Sequence, residues 1–365
     1  MNMDFFIQAQ QAALTLIGQA MLRDKKNLRS QAARGEPVEP YERSAPSTSS
    51  GRAGDAHEKP TIILGFSGGP DSMFLLHLLH SLEKNGAITL VAAHLDHQWR
   101  PESHGDLLFC QETCQNLGIR FCAGKAEAFV LGIKKNGSQE EFGRKLRRAF
   151  LKIVMQDHSA LCIALAHHLG DQQETFFIRL LRGTTLNGLT GMRPIDGDYL
   201  RPLLGYNKEE MLAYLDDNRT AYLTDPTNAS PDFLRNRLRS TVLPALKNVD
   251  DRFDAKFSST LRSLVEEDEY LTLQAHQAFT QCFNKHDQTN ELVGDLIVFN
   301  GLHPVLKRRV VLEWLIATQV SFLPSTRFIE EVIRFLSSPR GGSHCIASGC
   351  QIIKKKKDFW ISSLR

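Results

Sequence analysis

Residues 62–79 read IILGFSGGPDSMFLLHLL. Ile62, Ile63, Leu64 and Phe66 form a short apolar run suited to a buried strand. Residues 67–72 turn the chain, and Met73, Leu75, Leu76 and Leu79 then recur at the spacing of a helix's buried face. Gly68 and Gly69 leave out two side chains where an anion would approach the backbone. The turn thus aims free N–H groups, the positive end of a helix dipole and the hydroxyls of Ser67 and Ser72 at one point, which describes an anion site. No Gly-Lys-Ser/Thr closes the turn and no lysine lies inside it, so it is not a Walker A loop. The plainer alternative is a tight turn capped by Asp71 or Ser72. Serine on both sides with Asp71 between them favours phosphate.

Working outward, the pattern alternates. It predicts strands at 62–66, 90–94, 120–122 and 161–166, with helices at 73–83, 105–117 and 140–157 between them. Alternation of this kind implies an α/β fold with a doubly wound, mostly parallel sheet and ligands at the carboxyl ends of its strands. SGGPDS, HLDH and HHLGDQQ each follow a predicted strand directly, so the chemistry should gather where they emerge.

The 365 residues are 42% hydrophobic and 23% charged, an ordinary composition for a chain of two or three domains. Residues 1–27 read as an amphipathic helix whose Asp4 and several glutamines break any signal-peptide core. Residues 28–57, rich in Ser, Pro, Gly, Ala and Arg, read as a disordered insertion. The catalytic domain should occupy 58–248. From 249 to 365 the composition turns helical and closes with a hairpin sequence, CIASGCQIIKKKKDFWISS, which predicts a smaller, mainly helical C-terminal domain that binds tRNA. No run reaches the roughly 18 apolar residues of a membrane span, so a cytoplasmic protein without membrane contact is expected. Seven scattered cysteines form no CxxC pair and read as reduced and structural. A net charge of +3 does not by itself argue for nucleic acid, so any RNA contact needs local clusters.

Four later stretches carry candidates. In AHLDHQWRPES, Asp96 between two histidines suits a carboxylate beside nucleotide and magnesium, whereas His94 and His97 are either hydrogen-bonding groups or metal ligands. EEFGRKLRRAFL puts Arg144 and Arg147 on one helix face, which is either a solvated face or an anion contact. In ALAHHLGDQQETFFIRLLRG a helix should begin near Asp171. Asp171 and Glu174 then share its first turn, as a capping-box-like pair or as a site. Arg182 closes that helix before Gly183. In TDPTNASPDFLRNRLRSTVLPAL, Arg235, Asn236, Arg237 and Arg239 concentrate positive charge, which suits RNA phosphates or a structural arginine knot.

Taken in order, SGGPDS, HLDHQWR, EEFGRKLRRAF, HHLGDQQETFFIRLLRG with GLTGM, and DPTN with RNRLR resemble the tRNA(Ile)-lysidine synthetases, within the PP-loop or N-type ATP pyrophosphatases. The resemblance is strong over 61–246 and weaker beyond. It implies an adenine nucleotide alpha hydrolase-like fold and ATP-dependent joining of free L-lysine to C2 of the first-anticodon-position cytidine of tRNA(Ile) bearing a CAU anticodon. An adenylated tRNA would be the intermediate, with AMP and pyrophosphate released. By the same resemblance Ser67, Gly68, Gly69, Asp71 and Ser72 would hold ATP phosphates, and Asp71 would also hold Mg2+. Asp96 would lie near the nucleotide, and Arg144 would meet the lysine carboxylate or a phosphate. Asp171 with Glu174 would hold the lysine amine and help deprotonate it, and Arg182, Arg235, Asn236 and Arg239 would contact RNA or product. A homodimer is an expectation of the resemblance alone. Gly170 stands where the family usually shows the first of two adjacent aspartates, and the distal domain of longer relatives is not expected. The competing readings are a non-catalytic tRNA-binding relative and a PP-loop tRNA thiolase, the latter disfavoured by the unpaired cysteines.

Overall fold

The computed structural model describes residues 2–33, 59–99, 103–129, 139–224, 234–286, 291–320, 325–347 and 349–363. The chain forms two compact units, Met1–Thr260 and Leu261–Arg365. Most of the insertion expected at 28–57 lies outside the described residues.

In the first unit, α1 (Asn2–Ala33) is followed by β1 (Thr61–Gly65), α2 (Pro70–Lys84), β2 (Thr89–Asp96), α3 (Ser103–Leu117) and β3 (Arg120–Lys125). Then come α4 (Gln139–Asp157), β4 (Cys162–Ala164), α5 (Leu169–Arg182), α6 (Leu186–Leu189), β5 (Ile195–Asp196), β6 (Tyr199–Leu200) and α7 (Lys208–Asp217). The sheet order is β3-β2-β1-β4-β6-β5, parallel throughout except for the β5–β6 pair. The doubly wound, mostly parallel sheet is therefore present. Chain order reverses direction across the sheet between β1 and β4, and this switch point opens the crevice in which such sheets bind ligands.

Strand residues alternate between two cores because successive side chains point to opposite faces. Ile62 and Leu64 pack with Phe74, Leu75 and Leu78 of α2 and with Ala9, Ala13 and Ile17 of α1. Ile63, Val91 and Ala93 pack on the other face with Leu146, Phe150 and Val154 of α4. Full burial of each of these aliphatic side chains contributes about 1.5–3 kcal/mol, which anchors the sheet that carries the loops. The N-terminal helix is part of that core, with Phe6 stacked on Tyr214 of α7 at 4.5 Å.

Two local expectations change. α5 begins at Leu169, not near Asp171, because His168 takes the N-cap. The sequence from Phe233 to Leu246 reads as one helix stopped near Pro244, but the chain there runs as α8 (Leu234–Arg237), a π-helical turn at Leu238–Val242 and α9 (Leu243–Val249). Pro244 lies in the first turn of α9, where its missing N–H costs little.

The units divide inside α10 (Phe253–Cys282). In the second unit, α11 (Leu296–Gly301), α12 (Pro304–Ala317) and α13 (Thr326–Ser337) accompany a five-stranded antiparallel sheet of order β7-β8-β11-β10-β9. Its strands are β7 (Phe283–Lys285), β8 (Leu292–Asp295), β9 (Gly342–Ala347), β10 (Cys350–Lys355) and β11 (Asp358–Ser363). The closing hairpin is thus the centre of a sheet, and this region is less helical than composition suggested. β7 and β8 span three and four residues, too short to display an alternating pattern. The buried Lys354 caps α13 by donating from Nζ to the carbonyls of Phe335, Leu336 and Ser338, which removes one lysine of the KKKK run from the surface. Among the described residues no helix is long and apolar enough to cross a membrane.

Candidate active site

The SGGPDS turn joins β1 to α2. Gly69 is the N-cap and Pro70 opens the helix, so no side chain bonds the first-turn N–H groups. These groups face outward at the positive end of the dipole. Gly68 adopts φ +76°, and a Cβ there would lie 2.7 Å from Leu223 Cδ1 and 3.1 Å from Cys110 Sγ. Only glycine fits both the conformation and the space. Ser67 and Ser72 meet through their hydroxyls at 3.1 Å, and Ser72 Oγ donates to the Gly69 carbonyl at 3.0 Å.

Asp71 projects from the first turn of α2. Lys208, opening α7, donates to Asp71 Oδ2 at 3.2 Å. Asp71 Oδ1 is buried and has no hydrogen-bond partner among the described residues. A carboxylate oxygen left this way suits a cation's oxygen shell, so the residues present fit a phosphate-bound divalent ion. Lys208 escaped the sequence reading. Its signal was a lysine at the first position of a helix, where the dipole disfavours a cation.

The second motif meets the first through His168. Its Nδ1 accepts from the Gly170 N–H at 3.0 Å, while the His168 backbone N–H donates to Asp171 Oδ2 at 3.0 Å, giving a capping box in which Asp171 is the third residue. In the neutral ring the proton is then on Nε2, which lies 3.8 Å from Asp71 Oδ2 and 3.7 Å from Asp171 Oδ2. A Cβ on Gly170 would come within 2.8 Å of His168 Cε1. Glycine at this position therefore leaves room for the imidazole.

Burial pushes the Asp171 carboxyl up, but His168, His167, the His168 backbone and Arg235 together hold it below the usual carboxylate range. Glu174, one turn on, is almost wholly buried. Arg239 Nε donates to its Oε1 at 2.6 Å and Arg235 Nε lies 2.8 Å from its Oε2. The carboxylate expected to face a substrate amine and two arginines expected to face RNA therefore form one ion cluster. Asn236 is half-buried on the same short helix, whereas Arg182 is exposed at the end of α5. Arg144 stands on α4 with its side chain partly open to solvent; partial desolvation and the neighbouring Arg148, Arg235, Arg201 and Arg147 lower its pKa.

Asp96 is buried at the carboxyl end of β2 and accepts from the Gln98 N–H at 2.8 Å. His94 Nδ1 donates to the Phe66 carbonyl at 3.0 Å, and Arg147 donates to His97 Nε2 at 3.2 Å. Both histidines thus serve as hydrogen-bonding groups here. The GTTLNGLTGM loop is held by Arg179, which donates to the carbonyls of Gly188 and Gly191, and by Gln172, bonded twice to the Met192 backbone. All seven cysteines are free. Burial pushes the Cys114 and Cys162 thiols up to about 12 and that of Cys110 higher still, so these are poor nucleophiles.

Burial, opposed by Asp171 and aided by Arg201, Arg144 and Arg235, pushes His167 from 6.5 down to about 4. The unfolded chain therefore takes up a proton between these values that the folded chain refuses. The stability held by neutral His167 is fully present above pH 6.5 and declines as pH falls towards 4. Urea midpoints measured from pH 7 to pH 4 should fall, and His167→Asn should flatten that fall. Parallel curves for the two proteins would refute the assignment.

The sequence profile of the PP-loop domain family matches residues 44–246. Over 295 residues the chain is 35% identical to the tRNA(Ile)-lysidine synthase of Bacillus thuringiensis subsp. konkukian, covering 76% of this chain and 60% of that protein. The tRNA(Ile)-lysidine synthase of Petrotoga mobilis is 37% identical over 196 residues, covering 54% and 63% respectively. The chain thus spans less than two thirds of the length of these relatives. Among solved structures, the U34-tRNA thiolase NcsA from Methanococcus maripaludis with its [4Fe-4S] cluster gives a TM-score of 0.50 at 18% identity, covering 57% of this chain and 73% of that one. That likeness is one of fold.

Proposed function

The chain belongs to the PP-loop domain family, and on that premise we propose that it joins free lysine to C2 of the first anticodon cytidine of tRNA(Ile) bearing CAU, at the expense of ATP. One observation carries the reading: His168 lies within 4 Å of both Asp71 and Asp171, so the phosphate loop and the second carboxylate motif are parts of one site. The relatives named for this activity supply the substrate class.

In the proposed reaction the C2 oxygen attacks the α-phosphate of ATP and pyrophosphate leaves. The lysine ε-amine then attacks C2 and AMP departs. Activation is needed because the ring oxygen is otherwise a poor leaving group. The first-turn N–H groups of α2, Ser67 and Ser72 bind the phosphates, with Gly68 and Gly69 allowing close approach. A magnesium ion held at Asp71 would supply neutralisation of phosphate charge. Asp96 orients the nucleotide from the neighbouring strand end.

Free lysine has a pKa of about 10.4 and must attack as the neutral amine. A carboxylate held below its usual range is a weak base but a good partner for an ammonium group. Asp171 therefore binds and orients the lysine amine more effectively than it deprotonates it, and Arg144 answers the lysine carboxylate or a phosphate. Glu174 acts through Arg235 and Arg239, fixing guanidiniums that face the RNA along with Asn236 and Arg182.

Lys208 pairs with Asp71 at 3.2 Å and stands beside the phosphate loop, so with a magnesium ion at Asp71 its ammonium group would serve the phosphate chain. Lys208→Met should raise KM for ATP by about tenfold, as expected for a charge-assisted hydrogen bond, with a smaller effect on KM for lysine. An equal change in both constants would argue for general disruption.

The direct test supplies purified protein with ATP, magnesium, labelled lysine and unmodified tRNA(Ile) bearing CAU. Label should enter the tRNA only when ATP is present. Tight tRNA binding without labelling would refute ligation and favour a binding protein, and sulfur transfer would favour a thiolase.

A further inference from the structure

Beside the site, the turn after β2 presents an aromatic side chain that the proposed reaction does not use. Trp99 is 42% exposed. It is held from several directions. Asp96 Oδ1 accepts the Gln98 N–H, and Gln98 adopts φ +56°, a left-handed conformation that a residue with a side chain takes only when its surroundings require it. The His97 ring stacks on the indole with centroids 4.7 Å apart and planes 29° apart. The indole also lies against α4 at Gly143, where any Cβ would collide with it. A strained turn, a stacked imidazole and a bare patch of helix together fix one large ring and leave much of it facing solvent. A large ring held rigidly in place with much of its surface open to solvent is suited to stacking on a ligand.

The neighbouring charges narrow the chemistry. Arg147, bonded to His97, shares its helix face with Arg144, which is electrostatically coupled to Arg148, Arg201 and Arg235. This basic track runs from Trp99 to the cluster at Glu174. Aromatic rings beside arginines bind single-stranded RNA by stacking unpaired bases while the cations meet phosphates. An acidic peptide would use the arginines but has no need of a rigid indole.

We propose that Trp99, backed by His97 and flanked by Arg147, is a stacking platform for an unpaired RNA base outside the reacting position. The inference rests on the RNA-substrate reading above. It extends that reading by assigning a specific contact to a loop base next to the one modified.

The full chain would be titrated with a synthetic hairpin RNA carrying a seven-nucleotide CAU loop, and with a fully paired duplex of the same length. Tryptophan fluorescence and affinity are read together. Trp314 is fully buried and serves as background, and Trp360→Phe in every protein removes the third indole. Trp99→Leu preserves the apolar packing on Gly143 without a ring, while Trp99→Phe keeps a smaller ring. The hairpin should quench the fluorescence of the Trp99 protein, and Trp99→Leu should weaken hairpin binding roughly tenfold, within the range for loss of one stacked base. Trp99→Phe should recover most of that affinity, and duplex binding should not change. Hairpin affinity equal in the Leu and Trp99 proteins would overturn the platform and leave the RNA reading standing. Failure of the parent protein to bind the hairpin would overturn both. Tighter capture of a poly-glutamate peptide than of the hairpin would assign the surface to a protein partner and overturn the base-stacking proposal.

Discussion

Asp71→Asn is expected to fold normally and to lose ATP-dependent labelling of tRNA by roughly a thousandfold, the scale on which removal of one preorganised electrostatic group acts. The asparagine keeps the size of the side chain and can still accept from Lys208. It loses the charge that a phosphate-bound cation needs, at the oxygen left without a partner within the protein. Both the first step, measured as tRNA-dependent exchange of pyrophosphate into ATP, and the overall reaction should fall together. A variant that retained exchange but failed to attach lysine would move Asp71 from the ATP end of the site to the lysine end. Far-UV dichroism and the urea midpoint check the fold. Since the negative charge sits between Lys208 and His168, its removal should change stability by less than about 1 kcal/mol, as is typical of partly exposed pairs.

The second large effect concerns stability. Arg239→Ala is expected to destabilise the first unit by about 3 kcal/mol, because breaking a buried ion pair leaves the other charge without full compensation. The Glu174 side chain is only 2% exposed, whereas those of Arg235 and Arg239 are 27% and 40% exposed. That asymmetry sets a rank order. Glu174→Leu frees two guanidiniums that can turn towards water, so it should cost less than Arg239→Ala, which leaves a carboxylate that cannot. Urea midpoints at unchanged slope would measure both. If Glu174→Leu proved the more damaging, the cluster would owe its worth to the attraction between its charges, and the burial of the carboxylate would not be the deciding term.

Much of the architecture was legible in the chain. The run 62–79 was readable because a buried strand, a glycine turn and a helix each have a local signature, and the parallel sheet followed from alternation. Glu174, Arg235 and Arg239 were picked out as candidates by residue type and spacing, but nothing local indicates that they lie against one another. Their positions differ by about sixty residues, and contacts at such separations depend on how α5 and the 234–249 helical segment pack. The strands β7 and β8 were missed for a different reason: three or four residues cannot show a period. Pairing makes them strands, β8 with β11 and β7 with β8.

His168 shows the same division on the scale of one side chain. By residue type HHLGD offered two histidines and one aspartate, and the helix was expected to start at the aspartate. The imidazole takes the N-cap because Gly170 leaves it space, and it then lies between Asp71 and Asp171. The sequence by itself determined the sheet, the phosphate loop and the set of chemical groups, since each is encoded in contiguous residues through backbone preference and hydrophobic period. Tertiary structure alone decided the partners: Lys208 for Asp71, two arginines for Glu174, and Gly143 beneath Trp99. Those pairings depend on distances across the fold, which are set by how the helices seat on the sheet and have no local signature in the chain.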